Sequence, residues 1–350
     1  MVTPGGFAAL FPGQGSQQVG MGKSLFQEFS IARQVFEEAC DALHVDLKKL
    51  CFDGPENDLT LTENTQPCLL TVSVAAFRVA EAELEFRPAL VMGHSLGEYS
   101  ALVAAGALNL STAVRWVRSR GLAMQSSVPL GEGTMAALLG LEDESVEKLC
   151  KKATEGALEK RKSWAINAPE LQVEAIVQPA NFNAPGQLVI AGSTDAVAEA
   201  ITLVKTDSEF KGGKAIPLSV SAPFHCKLMA PARLQMSEIF LNANSSEKPT
   251  ILLCPYIPNR TARVTQEPGV ILDLLIEQID HPVLWKQSMQ ALFRTAIQSG
   301  VEFGPGKILQ GLAKRVAQAS NAPFSSLGIS DSASLNLFET ELKKKEVKAS

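Results

Sequence analysis

Residues 89–101 read ALVMGHSLGEYSA: an apolar run, a serine between two glycines, then an apolar stretch with helical spacing. Ala89–Met92 has the continuous apolar character of a strand buried on both faces, and Leu96–Ala105 that of a helix stopped by Gly106. A G-x-S-x-G pattern at the join of strand and helix lifts a serine hydroxyl out on a sharp turn at the edge of a sheet. Ser95 therefore reads as a nucleophile rather than as a capping serine. The glycines on either side tolerate the strained turn and leave room for a substrate. The N–H of Leu96 points from a helix N-terminus toward the place where an oxyanion would form.

The same alternation extends outward. Phe7–Phe11 reads as a strand ending in the turn PGQGSQ, LFQEFSIARQVFEEACDAL (25–43) as a helix, and Pro67 as the opening of a second helix, QPCLLTVSVAAFRVAEAEL (66–84). Strand alternating with helix predicts an α/β fold with a mostly parallel sheet. After Met124 the order becomes strand, helix, strand, strand, helix, strand, through GEGTMAALLGL, SVEKLCKKA, ELQVEAIVQ, GQLVIAGS, DAVAEAITLVK and KAIPLSV. That is the order of a small ferredoxin-like α+β unit. It predicts an inserted subdomain at residues 131–213 and a large α/β domain made of 1–130 and 214–350, in which ILLCPYIP, GVILDLLIEQI and VEFGPGKILQGLAKRV resume the alternation.

Composition narrows the function. With 350 residues, 46% hydrophobic and 20% charged, the chain has an ordinary globular balance, and its net charge of −5 gives no reason to expect binding to nucleic acid or to a membrane surface. The six cysteines include no CxxC pair, which fits a reducing compartment better than a disulfide framework or a zinc site. The beginning, MVTPGGFAALFPGQGSQ, has no basic region ahead of an apolar run, so neither export nor membrane insertion is expected, and a cytoplasmic location is. The end, ELKKKEVKAS, reads as a solvated charge run. PGQGSQQVG falls short of a dinucleotide fingerprint because Gln18 stands where the third glycine belongs, and GPGKILQ lacks phosphate-loop spacing. No cluster has metal-ligand spacing, and Lys307, Lys314 and Arg315 read as a solvated face.

A serine needs a base. Of the four histidines, His44 follows the first helix in a polar stretch, His94 adjoins Ser95 and should point away from its hydroxyl while supporting the turn, and His281 sits at a proline corner. His225, in SVSAPFHCKLM, follows a strand and a proline turn and is the best candidate. No acidic residue stands out as a third member, so a main-chain carbonyl is expected to orient the imidazole, making a dyad.

In LSTAVRWVRSRGLAMQ, Ser111 can cap a helix, and Ala113, Trp116, Val117, Arg120 and Met124 then share one stripe. Arg120 thus lies on an apolar face, where a guanidinium needs an anion. Two anions fit equally: a neighbouring carboxylate in an internal salt bridge, or the carboxylate of a substrate gripped by parallel N–H bonds. With an activated serine beside it, the second points to transfer of an acyl group that carries a free carboxylate.

FPGQGSQQVGMG, GHSLGEYSALVAAGAL, VRSRGLAMQ, NFNAPGQLVIAG, APFHCKLMAPA, QIDHPVLW and EFGPGKILQGLAKR, in that order over residues 7–318, resemble the malonyl-CoA:acyl carrier protein transacylase family. The resemblance implies an α/β-hydrolase-like core with a ferredoxin-like insert. It implies Ser95 as nucleophile, His225 as base, Gln14 and Leu96 around the oxyanion, the Gln278 carbonyl orienting the histidine, and Arg120 as clamp for the malonyl carboxylate. Phe224, ahead of the histidine, goes with malonyl specificity, and His94 and Asn183 fall with the substrate-binding residues. No bound cofactor is implied; malonyl-CoA is the donor, the phosphopantetheine thiol of acyl carrier protein the acceptor, and a monomer is expected. Two stretches depart from the family, the long charged EGALEKRKSWAINAPELQVEAIVQ (155–178) and CPYIPNRTARVTQEPG (254–269); neither is expected to touch the catalytic residues, and both bear on carrier docking and the surroundings of the pantetheine arm. The rival readings are a stand-alone acyltransferase of a polyketide synthase, a serine thioesterase or hydrolase, and a silent carrier-binding module.

Overall fold

The computed structural model describes residues 6–163 and 172–349. In chain order the elements begin β1 (Phe7–Phe11), α1 (Lys23–Glu28), α2 (Ser30–Leu43), α3 (Leu47–Asp53), α4 (Glu56–Thr60), α5 (Thr62–Leu84), β2 (Leu90–Gly93), α6 (Gly97–Ala104) and α7 (Leu110–Ser126). They continue with β3 (Gly133–Leu139), α8 (Asp143–Ser163), β4 (Val177–Ala184), β5 (Gln187–Ser193), α9 (Thr194–Thr206), β6 (Lys214–Pro217) and α10 (Ala230–Leu241). The last are β7 (Tyr256–Ile257), α11 (Ile271–Asp280), α12 (Trp285–Phe293), β8 (Ser299–Phe303), α13 (Ile308–Ala319), β9 (Ser325–Ile329) and α14 (Ser332–Ala349). They fall into two units, one of Met1–Gly121, Asn242–Ile271 and Ser288–Ser350, the other of Leu122–Leu241 and Leu272–Gln287.

The first unit is built on a five-stranded sheet in the order β7-β2-β1-β8-β9. Every neighbouring pair is parallel, with Ala9 opposite both Val91 and Val301. A parallel sheet is covered on both faces, and the sequence supplies what that requires: Ala8–Phe11 and Leu90–Met92 are fully buried. Phe11 and Phe303 of neighbouring strands stack, Phe77 packs edge-on against both and against Phe86, and Phe86 is tilted against Phe303. From β1 the chain steps to β2 and β7 on one side and later to β8 and β9 on the other, so the order reverses at β1. Open α/β sheets carry their ligand sites at the carboxyl ends of strands beside such a reversal.

Local details differ from the sequence reading. The helix expected over 25–43 breaks at Phe29, whose extended backbone (φ −115°, ψ 127°) separates α1 from α2. Pro67 does not open α5, which begins five residues earlier at Thr62. A proline inside a helix leaves the carbonyl four residues back without its N–H donor. That carbonyl belongs to Glu63, and it accepts from Arg118 Nη1 at 3.2 Å. Ser111 does not cap α7 either: the Asn109 side chain accepts from the Thr112 N–H at 2.7 Å, while the Ser111 N–H and hydroxyl both donate to Glu38.

The second unit holds a four-stranded antiparallel sheet in the order β4-β5-β3-β6, reached through the chain order β3, α8, β4, β5, α9, β6. Leu138, Val146, Leu149, Ile190, Val197 and Phe210 fill the space between the sheet and its two helices. The unit is wider than the expected 131–213. β6 lies beyond that limit and pairs with β3, with Ala137 opposite Ile216. The returning stretch 272–287, expected in the large domain, is tied to β4 by the Phe182 N–H to Val283 carbonyl bond and the Val283 N–H to Ala180 carbonyl bond, each 2.9 Å. Of the charged stretch 155–178, residues 164–171 lie outside the described residues, as do residues 1–5 of the beginning and Ser350 of the end. Residues 155–163 of that stretch form the end of α8, and Arg161 makes a two-pronged pair with Asp195 of α9 at 2.6 and 2.9 Å. No helix among the described residues is long and apolar enough to cross a membrane.

Candidate active site

The turn after β2 puts the strain on the serine itself. Ser95 has φ +52°, a left-handed conformation that costs a non-glycine residue about 1–2 kcal/mol. The glycine that follows serves proximity instead: a Cβ on Gly97 would lie 2.0 Å from the Phe11 carbonyl oxygen, so α6 could not seat against the end of β1. The sequence reading had given both glycines the task of tolerating the bend.

Asn259, just past β7, offsets the strain. Its Oδ1 accepts from the Ser95 N–H at 2.6 Å, its Nδ2 donates to the Gly93 carbonyl at 2.6 Å, and its own N–H donates to Glu98 Oε2 at 3.0 Å. Asn259 and Glu98 are each 1% exposed. One side-chain amide therefore clasps both ends of the turn, and a buried carboxylate holds the main chain of the same residue. Asn259→Ala should lower the stability of the chain by about 2–3 kcal/mol, because the Ser95 N–H and Gly93 carbonyl lose their partner in a buried place. Denaturant unfolding of the purified variant checks this; a change below about 0.5 kcal/mol would remove the clasp from the account.

The Leu96 N–H makes no hydrogen bond among the described residues, while the N–H groups of Gly97, Glu98 and Tyr99 bond to His94, Ser95 and Leu96 carbonyls. Gln14 lies in the loop after β1, and its Nε2 donates to the Thr62 hydroxyl of α5 at 3.4 Å. The His94 ring lies beside Gly13, and the His94 N–H donates to the Phe11 carbonyl at 2.9 Å.

Arg120 is 1% exposed, on the stripe its spacing predicted. Its Nη2 donates to Ser95 Oγ at 3.1 Å and its Nη1 to Gln66 Oε1 at 2.8 Å, and the guanidinium carbon stands 5.9 Å from the centroid of the Tyr99 ring. Both of these acceptors are neutral. Burial holds the Arg120 pKa below its ordinary value, with Tyr99 and Glu98 pulling the other way, and burial likewise pushes the Tyr99 phenol up. Arg115, on another face of α7, pairs with Glu247 at 2.8 Å.

His225, Gln278, Phe224 and Asn183 belong to the second unit. His225 is 3% exposed with φ +61°, and its Nδ1 lies 2.8 Å from the Gln278 carbonyl oxygen. A carbonyl can only accept, so Nδ1 carries the proton and the lone pair sits on Nε2, the tautomer a general base requires. Phe224 is buried, and Asn183 is half-buried on β4 at a register shift. Burial pushes the thiols of Cys150, Cys226 and Cys254 up to about 12, so these three stay protonated and do not compete as nucleophiles. The other two histidines keep to their expected places: His44 is exposed after α2, and His281 Nδ1 bonds at its corner to Asp280 at 2.7 Å.

Three contributors were missed. Gln66 stands beside Pro67, which reads as a helix start, and Asn259 lies in 254–269, a stretch that reads as bearing on carrier docking but whose Asn259 bonds the Ser95 N–H. Glu98 had a signal that went unused, being the one acid in the apolar helix Leu96–Ala105.

The sequence profile described as Acyl transferase domain matches residues 9–347. The malonyl CoA-acyl carrier protein transacylase of Bacillus subtilis (strain 168) is 40% identical over 336 residues, 96% of this chain and 97% of that protein. That of Escherichia coli (strain K12) is 40% identical over 320 residues, 90% of this chain and 94% of that protein. Among solved structures, the malonyl CoA-acyl carrier protein transacylase of Coxiella burnetii superposes with a TM-score of 0.85 at 36% identity, covering 97% of this chain and 98% of that one. A malonyl-transacylase in complex with its type II PKS acyl-carrier protein gives 0.83 at 37% identity, covering 94% and 97%. With this likeness running nearly end to end and the serine turn and buried arginine in their motifs, the chain belongs to the malonyl-CoA:acyl carrier protein transacylase family of acyl transferases.

Proposed function

We propose that the protein moves a malonyl group from malonyl-CoA to the phosphopantetheine thiol of acyl carrier protein, through a malonyl ester on Ser95. The observation that carries this reading is the buried Arg120 guanidinium 3.1 Å from Ser95 Oγ. A guanidinium held by neutral hydrogen-bond acceptors beside a nucleophile suits an acyl group that brings its own carboxylate.

In the first half-reaction His225 Nε2 takes the Ser95 proton, and Oγ attacks the thioester carbonyl. The Leu96 N–H and the Gln14 amide stabilise the oxyanion, and CoA leaves as its thiol with the proton from His225. In the second, His225 deprotonates the carrier thiol, which attacks the ester carbonyl, and Ser95 Oγ leaves with the proton returned by His225. The Gln278 carbonyl fixes the imidazole in the required tautomer throughout. Arg120 gives up its bond to Ser95 Oγ and grips the malonyl carboxylate, and Phe224, His94 and Asn183 are read as substrate-binding residues. The sheet of the first unit is read as an α/β-hydrolase-like core. The second is read as a ferredoxin-like unit with its boundaries moved outward, in keeping with its β-α-β-β-α-β chain order. The protein is read as a cytoplasmic monomer that meets its carrier transiently.

The likeness to a polyketide malonyl-transacylase in complex with its carrier gives the polyketide reading a specific footing. Product analysis with a panel of acyl-CoA donors and holo carriers of both kinds tests the proposal. Malonyl-carrier should form in preference to acetyl-carrier, and the faster carrier names the pathway. Malonyl release to water at the same rate with and without a thiol acceptor would make the protein a hydrolase instead.

A further inference from the structure

The Arg120 guanidinium has a second side-chain contact besides Ser95. Gln66 is 2% exposed, and its Oε1 accepts from Arg120 Nη1 at 2.8 Å, while Nη2 of the same guanidinium reaches Ser95 Oγ. Three contacts between α5 and α7 hold the two side chains in place. Arg118 donates to the Glu63 carbonyl left over by Pro67 and to Asn64 Oδ1. Gly121 lets the helices close: a Cβ there would lie 2.7 Å from the Glu63 Cα. One turn earlier, Thr62 accepts from Gln14, so the start of α5 braces both the oxyanion amide and the clamp.

The chemistry of the acceptor then matters. A carboxamide oxygen satisfies one guanidinium N–H without adding charge. A carboxylate of the same shape would also satisfy it, would turn the pair into a buried salt bridge, and would leave an incoming carboxylate facing a neutralised site. We infer that Gln66 determines acyl specificity: its neutral amide orients the guanidinium while leaving its charge for the substrate, so that exchanging it for an acid shifts preference from carboxylated to uncharged acyl groups. The inference rests on the malonyl reading above and adds to it the residue that keeps the clamp charged.

The test uses the full chain with Gln66→Glu, an isosteric change, and Gln66→Met, which removes the acceptor without adding charge. For each, kcat/KM is measured for malonyl-CoA and acetyl-CoA with a holo carrier, beside a thermal melt. For Gln66→Glu, malonyl transfer should fall about a hundredfold, the scale of a buried charge pair set against its ligand, while acetyl transfer stays within about threefold. For Gln66→Met the malonyl KM should rise about tenfold with kcat little changed, as expected when a guanidinium loses one anchoring bond but keeps its charge. A malonyl-to-acetyl ratio for Gln66→Glu within about threefold of the unaltered protein overturns the inference. Should that variant fail to fold, an unmoved ratio and KM in Gln66→Met overturn it equally. If the unaltered protein makes no malonyl-carrier at all, the functional reading has failed first, a result distinct from one in which malonyl is transferred but Gln66 does not govern the choice.

Discussion

Ser95→Ala should abolish malonyl transfer, lowering kcat by at least about 10⁴-fold, because no other hydroxyl or thiol takes over the covalent step. The turn itself should survive. Alanine keeps the Ser95 N–H that bonds Asn259, and the bonds from Asn259 to Gly93 and Glu98 do not involve the hydroxyl. Arg120 loses one neutral acceptor and keeps Gln66. The variant should therefore melt close to the unaltered protein while forming no acyl-enzyme. Incubation with radiolabelled malonyl-CoA, quenching in acid and counting protein-bound label checks it, and label retained by the variant would move the nucleophile elsewhere.

Arg120→Ala should separate substrates rather than disable the enzyme. Removing the partner of a buried carboxylate costs about 3–5 kcal/mol, so malonyl transfer should fall by about 10³-fold. Acetyl transfer, with no carboxylate to hold, should change by less than about tenfold, and the choice between the two donors should nearly disappear. Stability should drop by about 1–3 kcal/mol, because the Gln66 carboxamide is left buried without its donor, so melts must accompany the rates. Kinetics with both donors at several concentrations read the effect. Equal losses on malonyl and acetyl would return Arg120 to a purely structural role.

The serine turn was legible because its signal is local: strand, glycine, serine, glycine and helix occupy thirteen consecutive residues. Arg120 was legible for a related reason, since a charged residue on an apolar helical stripe contradicts its neighbours and asks for an explanation. The amides were not legible. Gln66 meets Arg120 from 54 residues away, and Asn259 meets Ser95 from 164. A buried amide carries no charge, breaks no periodicity and looks in sequence like any surface residue. The unit boundary failed for the same physical reason. The bonds joining 272–287 to β4 are main-chain bonds, and main-chain pairing is written in no particular side chain. Pro67 misled because a proline is common in the first turn of a helix, whereas here its missing N–H is compensated from another helix by Arg118.

The central claim is that one guanidinium, held neutral-side by an amide and aimed at the serine, reads the carboxylate of the acyl group. A crystal structure of the acyl-enzyme, trapped with malonyl-CoA in the absence of carrier, tests it most directly. The account predicts density continuous with Ser95 Oγ and both carboxylate oxygens within about 3 Å of Arg120 nitrogens, with Gln66 still bonded to Nη1. A malonyl ester on Ser95 whose carboxylate turns to solvent or to another cation, with Arg120 unmoved, would contradict it.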